Sequence, residues 1–249
     1  MRAYFRPFVH AVPLQPAMML VLLLGLVLPV QGQTTDQDQS KPLMYFPERV
    51  PEGKWWKSVG FTAVAPPVEI TEALQVRWPA FDYNTLYGIP HGFALEGRAA
   101  VQVLQNRFSG GLRWASCAGP VSFSLGYDLY YWFGFLKLAG FDSKAHGWEG
   151  TPHVSIGYRF GDVAATLKVE GLMEYSFTSY QADLEVSTNS RTFAGAAFTF
   201  TLEQPFWKDQ YLTLGFRGMY TKFYWETWSL FPTFDRYLFY PEIIVGFIL

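Results

Sequence analysis

The stretch HVSIGYRFGDVAATLKVEGLMEY, residues 153–175, alternates apolar and polar side chains on both sides of the pair Gly161-Asp162. A period of two residues predicts β-strands, and a two-residue connection containing glycine predicts a tight hairpin. One face of this hairpin is apolar, with Val154, Ile156, Tyr158, Phe160, Val163, Leu167 and Val169. The opposite face carries His153, Ser155, Arg159, Thr166, Lys168, Glu170 and Glu174.

The same alternation continues from Gly92 to Leu249, where eight runs can be counted. We therefore predict an all-β fold, an antiparallel transmembrane β-barrel of eight strands over residues 92–249. An eight-stranded barrel is just wide enough for its own side chains, so interior charges must pair. The predicted polar network of the lumen consists of Glu96, Arg98, Arg113, Asp128, Arg159, Lys168, Glu170, Glu174, Glu203, Arg217 and Glu242.

The connections between the runs are short and long in turn, as in membrane barrels, which have short periplasmic turns and longer outer loops. This alternation is independent of hydrophobicity and predicts an even number of strands. One outer connection, residues 105–107, is unexpectedly tight. The short connections are 118–120, 161–162 and 205–209, and the long ones are 139–150, 178–190 and 225–236.

A soluble barrel or β-sandwich would also show alternation, but it would place apolar residues inside and charged residues outside. Here aromatic residues make up 19% of the chain and recur along it as far as Phe247. After residue 32 no apolar stretch reaches eighteen residues, which argues against a helical membrane protein. The membrane barrel is therefore the favoured interpretation.

Residues 1–32 are typical of a cleaved export signal. Arg2 and Arg6 precede an apolar run from Ala17 to Val30 that is too short for a spanning helix. We place the cleavage before Gln33, and an uncleaved inner-membrane anchor is the alternative.

Residues 33–91 are predicted to form a periplasmic or lumen-entering segment. The part up to Leu43 is polar, and the part from Met44 to His91 is rich in proline and tryptophan with broken alternation. Two further strands, around Val59–Ala63 and Leu74–Trp78, are the alternative and would give ten strands. Prolines 66, 67 and 79 argue against either being central.

Charge and cysteine content exclude several classes of protein. Because cleavage would remove Arg2 and Arg6, it would leave 17 Lys and Arg against 21 Asp and Glu. This acidic balance does not provide the excess of positive charge that is typical of nucleic-acid-binding proteins. Cys117 is the one cysteine, so no internal disulfide can form. No spacing typical of metal ligands is evident, and we predict no metal and no cofactor.

The signal, the eight runs, the alternating connections and the C-terminal strand together resemble the small outer-membrane β-barrel proteins of Gram-negative bacteria. The resemblance is at the level of class, covers residues 92–249 and implies a location in the cell outer membrane. It implies contact with outer-membrane lipid and recognition of the last strand by the barrel-assembly machinery. Ile243, Val245 and Phe247 match that terminal pattern, whereas Leu249 departs from its usual aromatic residue.

The catalytic candidates are His153, Ser155 and Glu170, since the Gly161-Asp162 turn brings His153 opposite Glu170. A His-x-Ser strand resembles outer-membrane lipid A deacylases, but alternation places these residues on the inner face, away from acyl chains. We therefore prefer a non-enzymatic envelope-structural or partner-docking role, with an envelope protein as partner. A small channel or transport component is one alternative, and a lipid A or phospholipid acyl hydrolase is the other.

Overall fold

The computed structural model describes residues 43–71, 79–138, 141–182, 184–207, 210–229 and 235–249. Over these residues the chain forms ten antiparallel strands, one short helix and two 3-10 turns. Among the described residues, no helix is long and apolar enough to cross a membrane. The strands are β1 (Trp55–Val64), β2 (Pro79–Gly88), β3 (Phe93–Val101), β4 (Gln105–Ala118), β5 (Val121–Leu138), β6 (Phe141–Phe160), β7 (Val163–Gln181), β8 (Leu184–Trp207), β9 (Gln210–Thr221) and β10 (Leu238–Ile248). The helix α1 spans Val68–Thr71, and the 3-10 turns span Pro90–Gly92 and Trp225–Thr227.

Each strand pairs with its neighbours in sequence, and β1 pairs with β10 to close the barrel. The closing seam runs in antiparallel register from Ser58 opposite Ile248 to Val64 opposite Glu242. A closed barrel leaves no strand edge, so backbone N–H and C=O groups find partners within the sheet. Because the number of strands is even, β1 begins and β10 ends at the same end of the barrel. This end also holds the tight turns, and we call it the turn end.

The predicted count of eight strands is wrong, because the barrel begins at Trp55 rather than at Gly92. Residues 55–64 and 79–88, assigned above to a segment outside the barrel, form β1 and β2. Pro79 is the first residue of β2, a position where a missing N–H is tolerated. The other candidate strand, 74–78, lies outside the described residues, as does the predicted signal sequence.

The tight Gly161-Asp162 hairpin is confirmed. Phe160 pairs with Val163, and His153 pairs with Glu170 as the turn requires. Gly161 has a φ of 62°, a left-handed conformation that favours glycine in such a turn. The register of residues 153–175 therefore follows from their alternation and from the turn at Gly161-Asp162.

Two of the connections predicted to be long loops are mostly strand. β5 and β6 remain paired up to Leu138 and Phe141, and β7 and β8 up to Gln181 and Leu184. The prediction failed because polar residues at a strand end look like a loop in sequence. β5 to β8 consequently contain 18, 20, 19 and 24 residues, against 9 to 14 in the other six strands.

The outer face of the barrel is apolar, and the buried charged side chains lie on the inner face. Outward side chains such as Leu125 and Ile156 are 58% and 54% exposed, while the carboxyl side chain of Glu203 is completely buried. Aromatic rings concentrate toward both ends of the apolar outer band. Contacting ring pairs are Trp55–Tyr87, Trp114–Phe123 and Tyr158–Phe160 near the turn end, and Phe61–Phe81, Tyr131–Trp148 and Tyr220–Tyr237 near the opposite loop end.

Candidate functional site

The interior of the barrel contains a layer of charged side chains, the polar band, between two apolar layers. The structure places all eleven predicted lumenal residues at inward positions, because alternation fixes their face. Glu170, Glu174, Glu203, Arg113, Asp128, Arg217 and Glu242 are buried, and Glu96, Arg98, Arg159 and Lys168 are partly exposed.

Ion pairs connect the polar band across several strands. Arg217 lies 2.9 Å from Glu170 and 3.6 Å from Glu242. Lys168 lies 3.3 Å from the same Glu170 and 3.8 Å from Asp128. Glu170, Glu242 and Asp128 thus each have an opposite charge beside them, which is the condition for tolerating charges away from water.

Three members of the interior network were not among the predicted residues. Asp82 binds Arg98 at 2.7 Å, and it lies on β2, which the sequence analysis did not count as barrel. Arg107 forms an ion pair with Glu149 and lies 3.7 Å from the centre of the Tyr130 ring. Arg107 and Glu149 had been assigned to connections, and their inward alternation with the flanking strands was the signal that could have placed them in the lumen.

The candidate catalytic residues do not form a nucleophile, base and acid arrangement. Glu170 is occupied by Lys168 and Arg217, although its backbone is directly opposite His153. The His153 ring instead contacts Asp128, with Nδ1 3.5 Å from Oδ2. Among the described contacts, none joins Ser155 to His153. The residues that the hydrolase hypothesis requires are therefore in the same lumen but are not aligned for catalysis.

Residues 43–50, which we call the plug segment, close the turn end from inside. Leu43, Met44 and Phe46 are buried against Trp56 and Ile248. Ten strands enclose a wider lumen than eight, which leaves room for a stretch of backbone. The plug segment is part of residues 33–91, for which the sequence analysis predicted a periplasmic or lumen-entering segment.

The Glu203 carboxylate holds the plug segment by its backbone. It accepts hydrogen bonds from the N–H groups of Met44 at 2.7 Å, Tyr45 at 3.1 Å and Phe46 at 2.8 Å. Hydrogen bonds to a charged acceptor are the stronger kind, and three converge on one group. This interaction satisfies the buried carboxylate and fixes the position of the plug.

A second polar anchor joins the plug segment to the wall. Arg159 donates a hydrogen bond of 2.7 Å to Glu48, and Arg49 donates one of 3.3 Å to the Ala115 carbonyl oxygen. Burial raises the pKa of the Glu48 carboxyl to about 7, although the positive charge of Arg159 acts in the opposite direction. Both ends of the plug segment are thus bonded to the barrel.

The loop end is filled by aromatic side chains from the connection between β9 and β10. This aromatic cap consists of Phe223, Tyr224, Trp225 and Trp228, all buried. Phe223 packs against Trp132 and Phe177, with ring centroids 5.5 and 5.2 Å apart. Next to Met44 and Tyr45 of the plug segment lies a cavity of about 80 Å³, whose lining includes Glu96, Asp128 and His153.

Comparisons with known proteins give a resemblance of class. No protein-family model matches the chain, and no curated protein matches it. Neisserial surface protein A matches at 12% identity over 78% of this chain and 96% of that one, with a TM-score of 0.35. Outer membrane phospholipase A from Escherichia coli matches at 10% over 80% and 97%, with a TM-score of 0.37. The translocator domain of autotransporter NalP from Neisseria meningitidis matches at 11% over 78% and 86%, with a TM-score of 0.40. The class-level resemblance to outer-membrane β-barrels holds, and these scores carry no conclusion about activity.

Proposed function

We propose that this chain is a non-enzymatic, non-conducting outer-membrane protein with an envelope-structural or partner-docking role, performed by strands that project from a sealed barrel. The observation that carries the proposal is the closure of the lumen at both ends, by the plug segment and by the aromatic cap. A sealed barrel is suited to anchoring rather than to transport.

The exterior supports a location in a membrane. A soluble protein rarely exposes large contiguous apolar surface, whereas the outward face here is apolar on every strand. Aromatic rings near both ends of the apolar band match the interfacial girdles of membrane barrels. The closed hydrogen-bonded wall satisfies the backbone in hydrocarbon.

The interior argues against a channel. The cavity of about 80 Å³ is lined by Met44 and Tyr45 of the plug segment and by ion-paired side chains of the wall. The aromatic cap fills the loop end separately. Glu203 would lose three hydrogen bonds if the plug segment left. We therefore expect the closed state to be the resting state.

The long strands support a role at the loop end. A spanning strand needs about 9 to 11 residues, so β5 to β8, with 18 to 24, extend well beyond the membrane. This extension exposes Phe135, Leu184 and Val186, which are 51%, 70% and 53% exposed. Exposed apolar side chains outside the lipid zone are candidates for contact with another envelope component.

We expect the protein to fractionate with outer membranes and to show no steady conductance in planar bilayers, because both mouths of the barrel are filled. The measurement is current across a bilayer after insertion of protein purified from outer-membrane fractions. A larger open barrel treated in the same way is the control for insertion. Recovery in the soluble periplasm would refute the membrane location, and stable unitary currents would favour the channel alternative.

We also expect the strand extension, not the barrel, to carry the envelope role. Asn-Gly turns would replace residues 136–143 and 179–187, joining partners that already face each other, Phe135 with Lys144 and Thr178 with Thr188. The shortened protein should still migrate as a folded, heat-modifiable species. In a strain lacking the gene, the full-length protein should restore the barrier to a fluorescent hydrophobic probe, and the shortened one should not. Equal restoration by both would assign the role to the barrel wall.

A further inference from the structure

His153 has the orientation of a metal-ligating histidine. Its Nδ1 lies 3.3 Å from the backbone carbonyl oxygen of Thr151, close enough to donate its proton there. With Nδ1 protonated, Nε2 presents a lone pair. Ligating histidines commonly donate their other N–H to a carbonyl or carboxylate in this way.

The free nitrogen faces a carboxylate oxygen across a gap. His153 Nε2 lies 3.7 Å from Glu96 Oε2. This distance is longer than a hydrogen bond, yet two ligand atoms that each lie about 2.0 to 2.2 Å from one metal ion are separated by a similar length. Asp128 supplies a third donor. Its Oδ2 lies 3.5 Å from Nδ1 of the His153 ring, and one donor atom from each of the three residues lies within 4.8 Å of the others.

Each carboxylate also keeps an oxygen that its cationic neighbour does not contact. Arg113 Nε lies 3.2 Å from Glu96 Oε1, which leaves Oε2 facing the histidine. Lys168 Nζ lies 3.8 Å from Asp128 Oδ2, while Oδ1 has no hydrogen-bond partner although Asp128 is only 4% exposed. A buried carboxylate oxygen without a partner is costly, and a bound cation would satisfy it.

The charges of the polar band are compatible with an added cation. The ion-paired side chains connected to these donors include five acidic and four basic ones: Asp82, Glu96, Asp128, Glu170 and Glu242 face Arg98, Arg113, Lys168 and Arg217. The three donors line the cavity of about 80 Å³, which has room for an ion and the water molecules that complete its coordination.

We propose that Glu96, Asp128 and His153 bind a divalent transition-metal ion of the Zn²⁺ class inside the lumen. One imidazole and two carboxylates form a mixed ligand set that suits Zn²⁺ or Co²⁺, whereas Ca²⁺ takes six to eight oxygen ligands. The site joins β3, β5 and β6, so the ion cross-links the wall and stabilises the folded barrel.

The test uses the chain without its predicted signal, refolded in detergent with Zn²⁺ or Co²⁺ present and then dialysed. We expect one ion per chain, a visible absorption band from tetrahedral Co²⁺, displacement of Co²⁺ by Zn²⁺ and no displacement by Ca²⁺. His153→Gln should abolish the band. If His153→Gln fails to fold, Glu96→Gln replaces it and should weaken binding at least tenfold.

A matched control removes the other histidines that follow the predicted cleavage position. The double variant His91→Asn and His146→Gln should bind one ion as the parent does, because His91 lies in the turn before β3 and His146 stacks on Tyr180. Absence of stoichiometric binding, retention of the band in His153→Gln, unchanged Co²⁺ affinity in Glu96→Gln, or equal competition by Ca²⁺ would overturn the proposal.

Discussion

Val169→Arg is expected to block assembly of the barrel. Val169 points outward, 46% exposed, between Val154 and Phe198 on the neighbouring strands. A positive charge on the lipid face costs about 2 to 4 kcal/mol near the bilayer midplane. Because stability margins are small and insertion is cooperative, that cost should prevent accumulation of the folded form. The measurement is the fraction of heat-modifiable protein in outer-membrane preparations.

The control introduces the same side chain one residue earlier. Lys168→Arg keeps the positive charge on the inner face but carries it on a guanidinium, beside Asp128 and Glu170, and should assemble normally. Val169→Leu should also assemble, since it changes size without charge. Equal damage from Lys168→Arg and Val169→Arg would show that the assignment of inner and outer faces is wrong.

Arg217→Met is expected to lower the free energy of unfolding by about 3 to 5 kcal/mol, the usual cost of breaking a buried ion pair by removing one partner. Arg217 is the cation nearest to both Glu170 and Glu242, and all three are buried. Methionine leaves two carboxylates with less compensation in a space from which water is largely excluded. Urea unfolding of the protein in lipid vesicles measures the change.

Two comparisons separate electrostatics from packing. The triple variant that adds Glu170→Gln and Glu242→Gln to Arg217→Met should recover much of the loss, because the unpaired charges are gone. Arg159→Met removes a cation that is 31% exposed at the turn end and should cost about 1 kcal/mol or less. If Arg159→Met lowered the free energy of unfolding as much as Arg217→Met, burial would not explain the effect. If the triple variant were as unstable as Arg217→Met, the loss would come from packing and not from unpaired charges.

The alternation of apolar and polar residues made it possible to predict, for each residue, whether its side chain lies on the inner or the outer face of the barrel. A one-residue shift would turn every side chain to the other face, so Lys168 and Val169 could be assigned with no knowledge of the neighbouring strands. The turn at Gly161-Asp162 then fixed the pairing of His153 with Glu170. Both signals are local in sequence.

β1 and β2 were not predicted with the same certainty because their local signal is weak. Gly60 interrupts the apolar and polar pattern of β1, and the prolines at 66, 67 and 79 suggest a loop. What makes these segments strands is pairing with β10 and β3, which sequence alternation does not reveal. Tertiary context commonly outweighs local propensity in this way.

The partners of individual side chains were beyond prediction for a related reason. Glu203 binds backbone groups of residues 44–46, which lie 157 to 159 positions away in sequence. His153 has its backbone opposite Glu170, yet its ring contacts Asp128 on the strand at its other side. Face and register restrict which groups can meet, but side-chain length and competition among charges decide which of them do.

The seam between β1 and β10 makes completion of the barrel depend on β10. Ile248 pairs with Ser58, and the N–H of Leu249 donates a hydrogen bond to the Lys57 carbonyl oxygen. A chain that stops before β10 keeps two unpaired edges, on β1 and β9, which cannot be buried in hydrocarbon. Termination before β10 should therefore yield no partly working product, because the wall can close only after synthesis has passed β10.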